Sequence, residues 1–233
     1  MVLTGSARSA EALLTEYRKR GYVDRVRNGL WVALGLEDSH PVPSQYEIAT
    51  AINATACVSH HSAFTYHGYA TQVSYDICVT SATRFNPFDY DGFRYRWFAP
   101  RIETGVVSPS RGVRVTDMER TVLDSINDMD KDAGLEELLQ SLDAVPYLDP
   151  DRLTSYLEAY GKQVLYQKVG YLLALFNASL RLPESFFASC EANVGKSVRY
   201  LVADMAAGDR VYDRRWRLVV SRHPWDVVSQ GVR

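Results

Sequence analysis

The chain has 233 residues, 46% of them hydrophobic and 23% charged, with a formal net charge of −2. That is the composition of an ordinary globular protein, long enough for one large domain or a small one plus a larger one. The lack of a long apolar run, of a secretory leader pattern and of a basic excess argues against a helical membrane span, an exported protein and a protein that coats nucleic acid.

The first element is a helix in SARSAEALLTEYRKRG. Ala7, Ala10, Leu13, Leu14 and Tyr17 recur at helical spacing and predict one buried face, with Ser6 or Ser9 as cap and Gly21 as terminator. Tyr22–Arg27 and Leu30–Leu34 then read as two strands around Asn28-Gly29, a turn pair suited to positive φ. Arg8, Arg18, Lys19, Arg20, Arg25 and Arg27 oppose Glu11, Glu16 and Asp24. The segment from Ser6 to Leu34 therefore carries +3 in a chain that sums to −2. A basic helix followed by a basic hairpin is what a winged-helix reader presents to a duplex, although a solvated helix face has the same composition.

Gly35–Ser44 reads as a linker. Ser44 and Glu47 form a capping box for a helix from Gln45 to about Asn53. A short strand at Ala56–Val58 precedes a helix in HHSAFTYHG, capped by Ser59 and ended by Gly68. Strands are expected at Gln72–Ser81, Phe93–Phe98 and Gly112–Val115, with residues 82–92 as loop and Asp91-Gly92 as a turn. The period then becomes helical. Thr116 and Glu119 suggest a second capping box, and Arg120 with Asp124 an i, i+4 pair on an exposed stripe. Further helices are predicted at Leu135–Leu142, Pro150–Tyr160, Gln163–Asn177 and Pro183–Cys190. Late strands are predicted at Val198–Val202 and Trp216–Ser221, with a loosely held tail after Pro224. This order predicts an α+β fold, with a partial winged-helix module first and a larger mixed domain behind it.

Few residues suggest enzyme chemistry. His60, His61 and His67 lie within eight positions, but 61 sits about 100° round the helix from 60, so convergence on a metal is disfavoured. Asp89 and Asp91 could chelate magnesium, yet their place beside Gly92 fits turn chemistry better. Gly5-Ser6 resembles the opening of a nucleotidyltransferase motif without its downstream carboxylate pair. P-loop, dinucleotide-binding, zinc-protease and nucleophile-elbow motifs are absent, and Glu184, Glu191 and Lys196 are too far apart for a nuclease core. Cys57, Cys78 and Cys190 lack any C-x-x-C pairing, which predicts reduced core thiols in a cytoplasm. The tyrosines and arginines of the middle, among them Tyr75, Tyr95, Arg84 and Arg96, suit either a half-buried β surface or a partner-facing one.

VSHHSAFTYHG, GVRVTDMERTVLDSI, KVGYLLALF and DRRWRLVVS occur in an order that resembles the AbiEi-type antitoxin family across residues 6–221. The resemblance implies a winged helix in residues 1–36 that binds inverted repeats at its own promoter. It implies a C-terminal domain in residues 45–233 that neutralises a nucleotidyltransferase-type toxin. With the cysteine usage and the missing motifs above, the expectation is a cytoplasmic regulator with no enzymatic activity, cofactor, metal or membrane partner. In that pattern Ser6–Arg20 is the recognition helix and Tyr22–Leu34 the wing. Arg8 is the base-reading candidate, because a guanidinium pairs two acceptors of guanine. Ser6, Ser9 and Thr15 could donate to phosphates or bases. Arg18, Lys19, Arg20, Arg25 and Arg27 suit phosphates, with Glu11 on the same helix face and Asn28 at the wing tip. The family pattern has two helices before the recognition helix, whereas five residues precede it here. The module is thus expected to pack on the adjoining larger domain, to lack its front or to be completed by a second protomer. The alternative is an antitoxin or interaction module whose winged helix no longer binds DNA.

Overall fold

Helical spacing and an Asn-Gly turn build the front of the chain. Residues 6–203 and 207–222 are described by a computed structural model. Helix α1 (Ala7–Lys19) is capped by Ser6, whose Oγ accepts from the Ser9 N–H at 3.2 Å. Strands β1 (Val23–Arg27) and β2 (Leu30–Ala33) pair antiparallel, with Gly29 at φ +78° in the turn and a register shift between Arg25 and Arg27. Helix α2 (Gln45–Ala51) opens on the expected capping box: the Ser44 N–H donates to Glu47 Oε2 at 2.9 Å, and Ser44 Oγ accepts from the Glu47 N–H.

Strand β3 (Cys57–Val58), helix α3 (His60–His67), and strands β4 (Asp76–Thr80), β5 (Phe88–Tyr90), β6 (Phe93–Phe98), β7 (Val106–Ser110) and β8 (Val113–Thr116) come next. The strands form a mixed sheet in the order β5-β6-β4-β3-β8-β7. Residues 72–75 do not join β4, and two short strands arise where none was expected. Strand β5 pairs with β6 across Asp91 (φ +50°) and Gly92 (φ +79°), and its Phe88 ring stacks on Tyr95 at 4.8 Å. Strand β7 is exposed throughout and contains Pro109, so it has no apolar alternation to betray it.

The chain divides into two compact units, the first being Met1–Val58, Tyr75–Phe98 and Ser108–Arg114. Within it the helix–hairpin is fastened to the sheet region. Arg27 Cζ lies 5.5 Å from the Phe85 ring and 5.2 Å from the Phe88 ring. Tyr90 is hydrogen-bonded to Asp24, and burial together with that carboxylate pushes the phenol up to about 12. Arg114 closes the far end of α2, its guanidinium donating to the carbonyls of Thr50, Asn53 and Ala54.

The second unit comprises Ser59–Ser74, Ala99–Val107 and Val115–Arg233. It holds α3 and helices α4 (Met118–Asn127), α5 (Gly134–Ala144), α6 (Pro150–Tyr160), α7 (Gln163–Leu175), α8 (Asn177–Leu180) and α9 (Glu184–Ala192). Strands β9 (Arg199–Tyr200), β10 (Arg210–Asp213) and β11 (Leu218–Ser221) make a small sheet in the order β10-β11-β9. The region after Pro224 lies outside the described residues. Helix α4 packs against α3, α6 and α7, and Val122, Leu123 and Ile126 bury its apolar face. The Trp216 ring lies flat against Gly170 of α7, where a Cβ would fall within 2.1 Å of Cζ3.

Two expectations about α4 need correction. Its cap is Asp117, whose Oδ1 accepts from the Arg120 N–H at 2.9 Å, while Glu119 instead accepts from the Asp149 N–H at 2.8 Å. Arg120 and Asp124 are paired at 3.3 Å, but they are buried, at 1% and 3% exposure. Arg120 also donates to the Thr104 carbonyl at 2.5 Å, and the Tyr160 hydroxyl bonds Asp124. The reason is steric: Gly105 brings the 99–107 segment down onto the Arg120 stem, which a Cβ there would touch at 3.0 Å.

Candidate nucleic-acid interface

Helix α1 displays Arg8, Glu11, Thr15, Arg18, Lys19 and Arg20 to solvent. The face expected to be buried is only half-covered: Leu13 and Tyr17 remain 39% and 38% exposed, and Tyr17 meets Tyr22 edge to face. Most of the cations are held by neighbouring carboxylates. Arg18 pairs with Asp24 at 3.1 Å, Arg20 with Glu16 at 3.3 Å and Lys19 with Glu16 at 3.9 Å. Arg25 reaches Glu11 at 3.5 Å, donates to Asn28 Oδ1 at 2.7 Å and lies 5.5 Å over the Trp31 ring. Arg8 is exposed and has no ion-pair partner among the described residues.

The hydroxyls behave differently from the cations. Ser6 Oγ and Ser9 Oγ are 2.9 Å apart within the cap, and Thr15 Oγ1 donates back to the Glu11 carbonyl at 2.7 Å. Arg27 must be separated from the other candidate phosphate ligands. Its guanidinium sits over Phe85 and Phe88 with Nη1 buried, so it packs the hairpin onto the aromatic rings rather than facing outward.

The clustered histidines each turn to separate partners, whereas Glu184 and Glu191 are brought together on Arg215, at 2.5 and 3.3 Å. His60 Nδ1 is 2.8 Å from Ser59 Oγ, and its Nε2 is 3.8 Å from Asp128. Ser59 therefore turns to the ring and makes no side-chain cap bond, contrary to expectation. His61 donates its backbone N–H to Asp132 at 3.0 Å and sets Nδ1 3.7 Å from Glu137. His67 Nε2 lies 2.8 Å from the Thr116 carbonyl. Burial works against the charged form of His60, but the nearby carboxylates of Asp128, Asp124 and Asp132 outweigh it and raise its pKa. Asp91 occupies a positive-φ turn position next to Gly92. Among the described residues no group of three or more His, Cys, Asp or Glu side chains could hold a metal ion.

No family model and no curated protein matches the chain. Among solved structures, the Rv2827c protein of Mycobacterium tuberculosis is similar, with a TM-score of 0.68 and 16% identity over 97% of this chain and 85% of that one. At that identity the likeness concerns the fold alone. The chain is an α+β protein.

Sequence reasoning placed helix α1 and the hairpin turn, both set by local spacing, but not the half-open state of the helix face expected to be buried. It missed the aromatic and acidic residues that hold the cations. Arg84, expected only as part of a general basic surface, lies 5.4 Å over Trp97, and Arg96 pairs with Asp76 at 2.8 Å while lying over Phe98. Among the described residues no helix is long and apolar enough to cross a membrane.

Proposed function

We propose that this chain is an antitoxin and DNA-binding autorepressor of a toxin–antitoxin or abortive-infection operon, acting in the cytoplasm on a nucleotidyltransferase-type toxin. The observation that carries the reading is the exposed basic face of α1, with Arg8, which has no ion-pair partner among the described residues, in its first half and the Asn28-Gly29 hairpin directly after it. In a winged-helix docking the first half of α1 enters the major groove, and Arg8 reads a guanine edge. Arg18, Lys19, Arg20 and Arg25 track the phosphates. Their present ion pairs join exposed side chains and are each worth only about 0–1 kcal/mol, so duplex phosphates can replace Asp24, Glu16 and Glu11 as partners. Each phosphate so neutralised steepens the fall of log K with log salt by about 0.9.

A second reading keeps antitoxicity and drops DNA. It is favoured by Arg27, whose charge is spent on packing the hairpin. The two separate in cells carrying the toxin and a reporter fused to the protein's own promoter. On the first reading, Arg8→Ala with Arg25→Ala releases the reporter while the cells still survive the toxin. A reporter unaffected by the wild-type chain, in cells that it protects, selects the second.

A further inference from the structure

We infer that a void beneath the 129–134 turn of the second unit is the binding site of one ordered water molecule that joins α3, α4 and α5. The void measures about 10 Å³; its polar wall is His61 of α3, Ser125 of α4, Asp132 of the turn and Ser141 of α5, and Phe64, Met129, Ala133 and Leu138 supply its apolar wall. That is room for a single water. Ser125 and Ser141 are 2% and 0% exposed, and neither hydroxyl oxygen has a hydrogen-bond partner among the described residues. Buried hydroxyls are rarely left without partners, and voids that stay dry have apolar walls.

The surroundings fit a polar occupant. His61 turns its N–H to Asp132 at 3.0 Å and faces Glu137 at 3.7 Å. Glu137 lies one helical turn before Ser141 on α5, and neither of its buried carboxylate oxygens has a hydrogen bond among the described residues. A water between Ser125 Oγ and Ser141 Oγ can accept from one and donate to the other, with the Asp132 and His61 wall beside it. Serine, histidine and carboxylate are also the members of a nucleophilic relay, but a void that holds one water has no place for a substrate. His61 of the HHSAF segment thus serves a hydrated joint between helices, while His60 faces Ser59 and Asp128.

The sign of a stability change tests this. With a bound water, Ser125→Ala and Ser141→Ala each remove a water partner, and each lowers the unfolding midpoint by roughly 2–4 °C. The double variant loses less than the sum, because one water is lost only once. In a high-resolution crystal structure of the wild type, a solvent peak lies within hydrogen-bonding distance of both Oγ atoms, and it is missing from the double variant. A raised or unchanged midpoint in both single variants overturns the inference, as does a wild-type void without solvent density.

Discussion

Replacing Arg120 with alanine should destabilise the second unit severely. Arg120 is 1% exposed, and its guanidinium lies 3.3 Å from Asp124 and donates to the Thr104 carbonyl. Its removal leaves Asp124, 3% exposed, with the Tyr160 hydroxyl but no cation, and leaves the Thr104 carbonyl short of a donor. Stranding one member of a buried ion pair costs about 3–5 kcal/mol. At about 2–4 °C of midpoint per kcal/mol for a chain of this size, the loss is roughly 6–20 °C. Thermal and urea unfolding monitored by circular dichroism at the helical band would measure it. The double variant Arg120→Met/Asp124→Leu should recover part of the loss, because it removes both charges and keeps the volume but still strands the Thr104 carbonyl and the Tyr160 hydroxyl. If Arg120→Ala costs less than about 1 kcal/mol, the range of a surface pair, the buried-pair reasoning is wrong.

Three further outcomes rest on particular contacts. His60 has a raised pKa, so the stability it contributes is full below its ordinary value of 6.5 and is lost as pH rises through the folded value. Asp128 is held low by the same pair, against the opposing effect of burial, and its contribution is present above 3.8 and lost as pH falls toward its folded value. The alkaline fall should vanish in His60→Asn, a residue that tolerates the φ of +54° at this position; an unchanged fall would assign it to another group. Gly170→Ala should lower stability by about 1–3 kcal/mol through collision with Trp216, despite the better helix propensity of alanine, and a stabilised variant in thermal unfolding would contradict the packing. Arg27→Ala should destabilise the first unit in urea titration while leaving the salt slope of DNA binding unchanged; a flattened slope with unaltered stability would return Arg27 to the phosphate contacts.

What could be read from the sequence was local chemistry. Asn28-Gly29, the Ser44/Glu47 box and Gly68 announce their elements, because each acts within a few residues. Strands β5, β7 and β10 escaped notice because they are short or exposed and exist through pairing with neighbours rather than through their own alternation. The spacing of Arg120 and Asp124 looks the same on a solvated helix as on a covered one; only Gly105 and Tyr160, distant in sequence, make it a buried pair. The candidate site divides in the same way. The outer face of α1 is set by periodicity, whereas the stacking of Arg27 on Phe85 and Phe88 depends on a loop more than fifty residues away.

The most direct test of the repressor reading is a gel-shift titration of the protein against its own upstream region and a scrambled duplex, at two salt concentrations, with wild type, Arg8→Ala and Arg25→Ala. The account predicts preferential, salt-sensitive binding to the upstream region. Arg8→Ala should erode the preference by about 1–3 kcal/mol, and Arg25→Ala should weaken both duplexes alike. Equal binding of the two duplexes by the wild type, or no binding to either, would contradict it.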